Sequence, residues 1–106
     1  MKGYAGYMLR INLTTREVRK EKLDESLLRM HLGGKGLATR IAYDEIPAGT
    51  DPIGPENKLI MATGPLSGTR VISSSRTSFV SKSPQTGGYG SSTVGGHLAE
   101  ELKFAG

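Results

Sequence analysis

Tyr7, Leu9, Ile11 and Leu13 are apolar while Arg10 and Asn12 between them are polar, the two-residue period of a strand with one face turned to a core. Thr14-Thr15-Arg16 supplies a turn, and Glu17 to Lys22 around Val18 predicts the more exposed returning strand of an N-terminal β-ribbon. Asp24 stands before Glu25–Leu32, whose apolar residues recur at near-helical spacing, and Gly33-Gly34 follows as a stop signal. A second helix is expected from about Leu37 to Glu45, with Leu37, Ile41 and Ala42 on one face and Pro47 just beyond its end. Gly33, Gly34 and Gly36 then form a compact elbow between the helices.

Asp51-Pro52 to Pro55-Glu56-Asn57 is a proline-punctuated loop, and Leu59-Ile60-Met61-Ala62, ended by Gly64-Pro65, predicts a buried strand. Arg76 to Ser81 alternates around Phe79, and Pro84 to Gly88 is a turn leading to Tyr89-Gly90-Ser91-Ser92, which predicts a second ribbon. A last helix starts at Gly95-Gly96, with Leu98 and Leu102 four apart on one face. Ribbons and helices without βαβ alternation predict an α+β fold of mixed or antiparallel sheets with short helices, as one domain over residues 1–106. Tyr7, Leu9, Ile11, Leu59, Ile60, Phe79, Leu98 and Leu102 are the expected core. The ending Phe104-Ala105-Gly106 reads as a cut rather than a natural terminus.

At 106 residues with 15 glycines, 36% apolar and 6% aromatic residues, such a domain buries only a modest core and spends much of its length in turns. The net charge of +4 raises nucleic acid, membrane surface or phosphate as partners. However, Arg16, Arg19, Lys20 and Lys22 are interleaved with Glu17 and Glu21, which describes a solvated hairpin face and argues against nucleic acid. Cysteine is absent, so no disulfide, thiolate-bound metal or iron–sulfur cluster can be held by this chain. Neither a signal core nor an apolar run long enough to cross a bilayer is present, and a soluble cytoplasmic protein is expected.

His31 and His97 have no partner at ligand spacing, and Ser73-Ser74-Ser75 has neither a nucleophile elbow nor an evident base. Gly64 to Thr69 lacks the lysine of a phosphate loop, and Gly33-Gly34-Lys35-Gly36 reads first as an interhelical turn. No residue is assigned a catalytic role. One constellation remains: Ser91-Ser92-Thr93-Val94-Gly95-Gly96 runs into the last helix with Arg76 on the neighbouring strand. Bare backbone, a helix N-terminus and an arginine fork all suit a phosphate-bearing ligand. A plain glycine cap and a surface arginine explain the pattern equally well.

Several stretches resemble the N-terminal domain of aldehyde ferredoxin oxidoreductases. They are Gly6 to Thr14 in the form Gly-x-x-Leu-Arg-Ile-Asn-Leu-Thr, Leu32-Gly33-Gly34-Lys35-Gly36-Leu37-Ala38, Pro55 to Ile60, Ala62 to Thr69, Lys82 to Gly87, and Gly95-Gly96 with Glu101 to Gly106. The resemblance spans nearly the whole chain in order. It implies a domain that seats two pterins jointly holding one tungsten or molybdenum atom, within an enzyme that oxidises aldehydes and passes electrons through a 4Fe–4S cluster to ferredoxin. The cluster and the metal-proximal groups are then expected in remaining domains or a partner subunit, so this chain alone is expected to be inactive. The resemblance further implies that Arg76 contacts the pterin cofactor and that the backbone at Gly95 and Gly96 lies close to it. Thr93 falls where the family often has Asn, whose main-chain carbonyl helps hold a magnesium ion bridging the pterin phosphates. The alternative is a stand-alone, non-catalytic module for a phosphate-bearing cofactor. An exposed sheet edge leaves room for a homo-oligomer in either case.

Overall fold

A computed structural model describes residues 2–106. In chain order the elements are β1 (Tyr7–Asn12), β2 (Glu17–Lys22), α1 (Glu25–His31), α2 (Gly34–Glu45), β3 (Ile60–Thr63), β4 (Thr77–Lys82), β5 (Tyr89–Val94) and α3 (Leu98–Phe104). β1 and β2 form a two-stranded sheet, and β3-β4-β5 form a second sheet in that order. The fold is α+β, as expected. Every strand pairing is antiparallel, so the mixed sheet allowed by the sequence does not occur among the described residues.

Local chemistry sets the helix ends. Asp24 caps α1, its carboxylate accepting from the Ser26 backbone N–H at 3.0 Å and from the Ser26 hydroxyl, so one otherwise orphaned donor is satisfied. The same bonds hold the Asp24 carboxyl below the usual carboxylate range. The glycine elbow is tighter than expected, because α2 already begins at Gly34 and includes Gly36. A Cβ built on Gly36 would lie 2.8 Å from the His31 carbonyl oxygen, which requires glycine where the second helix leaves the first.

The core forms where α2 crosses the three-stranded sheet. Ala38 and Ala42 meet Ala62 and Val80, with Ile46 and Ile60 at the margin; small residues on both layers permit the close approach. Leu28, Leu37 and Ile41 make a second cluster with Tyr4, Met8, Leu23 and Leu27, and Ile60 touches both clusters. Burying a side chain such as Val80, which is 0% exposed, is worth about 1.5–3 kcal/mol.

The expected core was largely misplaced. Tyr7, Leu9 and Ile11 are 47%, 59% and 56% exposed, because the hairpin turns its other face inward. Met8 packs on the α1–α2 cluster, and Arg10 donates from Nη2 to Glu45 at 3.0 Å, from Nη1 to the same carboxylate, and from Nε to Glu21 at 2.9 Å. An ion-pair network therefore fastens the hairpin to α2, leaving the apolar stripe outside. Leu59 precedes β3 and is exposed, since Ile60 and Ala62 take the inward register. α3 is rotated so that Ala99 is its buried residue, and Leu98 and Leu102 fall on an exposed flank. Ile60 and Phe79 are half-buried.

Candidate functional site

Arg76 lies immediately before β4, and the pairings Thr77↔Val94 and Ser78↔Thr93 bring the end of β5 alongside it. The Arg76 Nη1 donates to the Thr93 hydroxyl at 3.5 Å, at the outer limit of a hydrogen bond. Arg76 is exposed and forms no ion pair with a carboxylate among the described residues. Most of its donors have no partner among the described residues, in contrast to Arg10, whose three nitrogens all point at carboxylates.

β5 is an edge strand, so alternate carbonyls along it have no ladder partner. It runs into Gly95 and Gly96, both exposed. Gly96 adopts a φ of +87°, and a Cβ on either glycine would meet nothing within 4 Å. Gly96 thus needs glycine for its backbone shape. Gly95 does not have a positive φ, so no contact or strain within the chain requires glycine there. Sequence position suggested a helix N-terminus at this pair, but α3 begins at Leu98, is only seven residues long and has no side-chain cap at His97. The helix dipole contributes little at Gly95; bare backbone and the arginine are what the site offers.

Two links behind this surface escape sequence reading. The Glu100 carboxylate accepts from the Ser75 hydroxyl at 2.7 Å and pairs with the His97 Nδ1 at 3.2 Å, so the residue before Arg76 and the residue after Gly96 share one partner. The Ser75 bond, then the His97 contact, hold the Glu100 carboxyl below its ordinary value. Lys103 donates to the carbonyls of Gly64 and Pro65 at 2.9 and 2.8 Å, docking α3 on the loop after β3, and burial lowers its pKa. The three-residue spacing of His97 and Glu100 on a helix was a visible signal; nothing local announced Ser75 or the two carbonyls.

His31 ends α1, and His97 precedes α3; among the described residues no group of three or more His, Cys, Asp or Glu could hold a metal ion. The outer face of the three-stranded sheet carries an open groove of about 340 Å³, lined by residues including Leu59, Phe79, Lys82, Gly90 and Ser92. Gly90 is the one glycine among its lining residues, and Arg76, Thr93, Gly95 and Gly96 do not line it.

Residues 8–106 match the family model described as "Aldehyde ferredoxin oxidoreductase, N-terminal domain". The whole chain is 46% identical to 18% of a "Tungsten-containing aldehyde ferredoxin oxidoreductase" of Thermococcus kodakarensis. It is 39% identical over 109 aligned positions to 17% of an "Aliphatic sulfonate oxidoreductase, WOR-like subunit" of Pyrococcus furiosus. Among solved structures, 99% of the chain superimposes on 16% of a chain in the active-site complex BamBC of benzoyl coenzyme A reductase bound to 1,5-dienoyl-CoA, with a TM-score of 0.94 and 35% identity. The chain therefore spans less than a fifth of the length of these relatives.

Proposed function

Because the chain belongs to the aldehyde ferredoxin oxidoreductase family, matching its N-terminal domain, we propose that it is the cofactor-seating portion of a longer oxidoreductase and that Arg76, Thr93, Gly95 and Gly96 form its seat. The ligand is a bis-pterin carrying tungsten, the metal named for the aldehyde-oxidising relatives, or molybdenum. The observation that carries this reading is the pairing of an exposed arginine that meets no carboxylate among the described residues with a neighbouring glycine that no contact among them explains. Both features suit an anionic group resting against bare backbone.

When bound, the metal–pterin centre supplies the two-electron oxidation chemistry, and the protein supplies binding and electrostatics. Arg76 neutralises ligand charge and orients it through a bidentate fork. Gly95 and Gly96 would let the backbone come into contact with the cofactor, and the Thr93 main-chain carbonyl would be suited to hold an accompanying magnesium ion. The cysteine-free sequence requires a cysteine-ligated 4Fe–4S cluster to be held by the rest of the enzyme, where the reading also puts the substrate pocket and the ferredoxin contact. Relatives named for aldehydes, aliphatic sulfonates and benzoyl coenzyme A share this domain, which supports a role in holding the cofactor rather than in selecting the substrate. Aldehyde oxidation in the cytoplasm, with ferredoxin as acceptor, is the proposed setting; no helix of the described residues is long and apolar enough to cross a membrane.

Arg76→Ala in the full-length enzyme tests the reading. Loss of a charge-assisted bond worth about 1.5–3 kcal/mol should weaken cofactor retention about tenfold to a hundredfold, with Arg76→Lys restoring part of it. Full tungsten and pterin content in Arg76→Ala would remove the role assigned to this residue.

A further inference from the structure

Arg76 and the Gly95-Gly96 turn sit on separate segments, and a seat built from both works only if their spacing is fixed. Strand pairing provides part of that fixing, but it ends at Thr77↔Val94, before either Arg76 or the glycines. The structure assigns the remaining task to Glu100: resting on the cofactor-seat reading above, we propose that it is the positioning residue that joins the two limbs. One carboxylate oxygen accepts from the Ser75 hydroxyl at 2.7 Å, adjacent to Arg76, and the other accepts from the His97 Nδ1–H at 3.2 Å, adjacent to Gly96. The Ser75 bond is part-buried, and the Glu100 side chain is 33% exposed against 90% for His97. The bond to Ser75 is therefore the less solvent-competed of the two and is the principal tie.

Glu100 also stands in the first turn of α3, whose Ala99 is buried at 1% exposure and whose Lys103 grips the Gly64 and Pro65 carbonyls. The helix is anchored to the body of the fold independently of Glu100, so its carboxylate is a fixed post from which the Ser75–Arg76 segment is held. A carboxylate near an anionic ligand repels it, and this makes a charge effect separable from a positioning effect. Glu100→Gln keeps the length and an acceptor oxygen for Ser75 while removing the charge. Glu100→Ala removes both, and Ser75→Ala removes the tie from the other side while leaving the carboxylate in place.

In the full-length holoenzyme, Glu100→Ala and Ser75→Ala should each speed release of pterin and tungsten on warming by about three- to tenfold, without a matching change in the thermal unfolding of the protein. The double variant should be no worse than Glu100→Ala alone, because Ser75→Ala removes a bond that Glu100→Ala has already removed. Glu100→Gln should release its cofactor at close to the parent rate. Faster retention loss in Glu100→Gln equal to that of Glu100→Ala, or slower release in both, would mean that charge rather than positioning governs the effect and would overturn the inference. Unchanged release in Glu100→Ala alongside rapid loss in Arg76→Ala would also overturn it while leaving the cofactor seat standing. If Arg76→Ala itself retains the cofactor, the seat fails, and the positioning role fails with it.

Discussion

Arg10 and Arg76 are the same residue type in opposite settings. Arg10 is held by Glu45 and Glu21, and these bonds raise its pKa further; Arg76 faces outward beside a hydroxyl. The Glu45 carboxyl is held below its ordinary value of 4.5, first by Arg10 and then also by Lys58. A carboxyl depressed in the folded state stabilises the fold at pH values above its ordinary value and loses that contribution as pH falls through the folded-state value. Acid titration should therefore weaken the hairpin attachment below about pH 4.5, and Arg10→Ala should cost about 1–2 kcal/mol after solvent screening. A denaturation midpoint unchanged between Arg10→Ala and its parent at neutral pH would contradict this. Gly95 separates internal from external demands in a similar way: Gly95→Ala meets open space at an ordinary φ, so folding stability should hold or rise by about 0.4–1 kcal/mol while cofactor content drops. Spacing placed Arg76 on the strand next to the segment that runs through Thr93 to Gly95-Gly96, and in the fold Arg76 reaches the Thr93 hydroxyl; their roles came from family resemblance, since one sequence read physically could not separate a cofactor arginine from a solubilising one.

At the scale of elements, positions were legible and orientations were not. All five strands and three helices fall near the expected segments, because alternation and cap residues report local geometry. Which face turns inward depends on partners distant in sequence. Arg10 marks the inward face of β1 because Glu45 waits on α2, 35 residues later, and period-two alternation carries no trace of that. The outward stripe of Tyr7, Leu9, Ile11 and Val18 is an apolar surface of the kind that longer proteins cover. If the rest of a longer chain packs on this stripe, replacing Leu9 by Lys in the full-length enzyme should cost more than the roughly 0.5 kcal/mol typical of an open surface site. A cost below that figure, measured by chemical denaturation, would leave the stripe facing solvent. In the α1–α2 cluster the packing is less negotiable: Leu28→Ala, at a residue 2% exposed, should cost about 2–5 kcal/mol.

For the whole molecule, the central fact is proportion. The chain matches less than a fifth of its relatives, has no cysteine for an electron path and presents its candidate seat as an open face rather than an enclosed pocket. The isolated chain supplied with metal and pterin should show no aldehyde oxidation with ferredoxin or a dye as acceptor, and measurable turnover would reverse the division of labour proposed between this domain and the rest. The most direct test is a crystal structure of the full-length holoenzyme. The account predicts Arg76 guanidinium nitrogens within about 2.7–3.2 Å of pterin or phosphate oxygens, with the Gly95-Gly96 backbone in contact with the same ligand. A cofactor bound on other elements, with Arg76 turned to solvent, would contradict it.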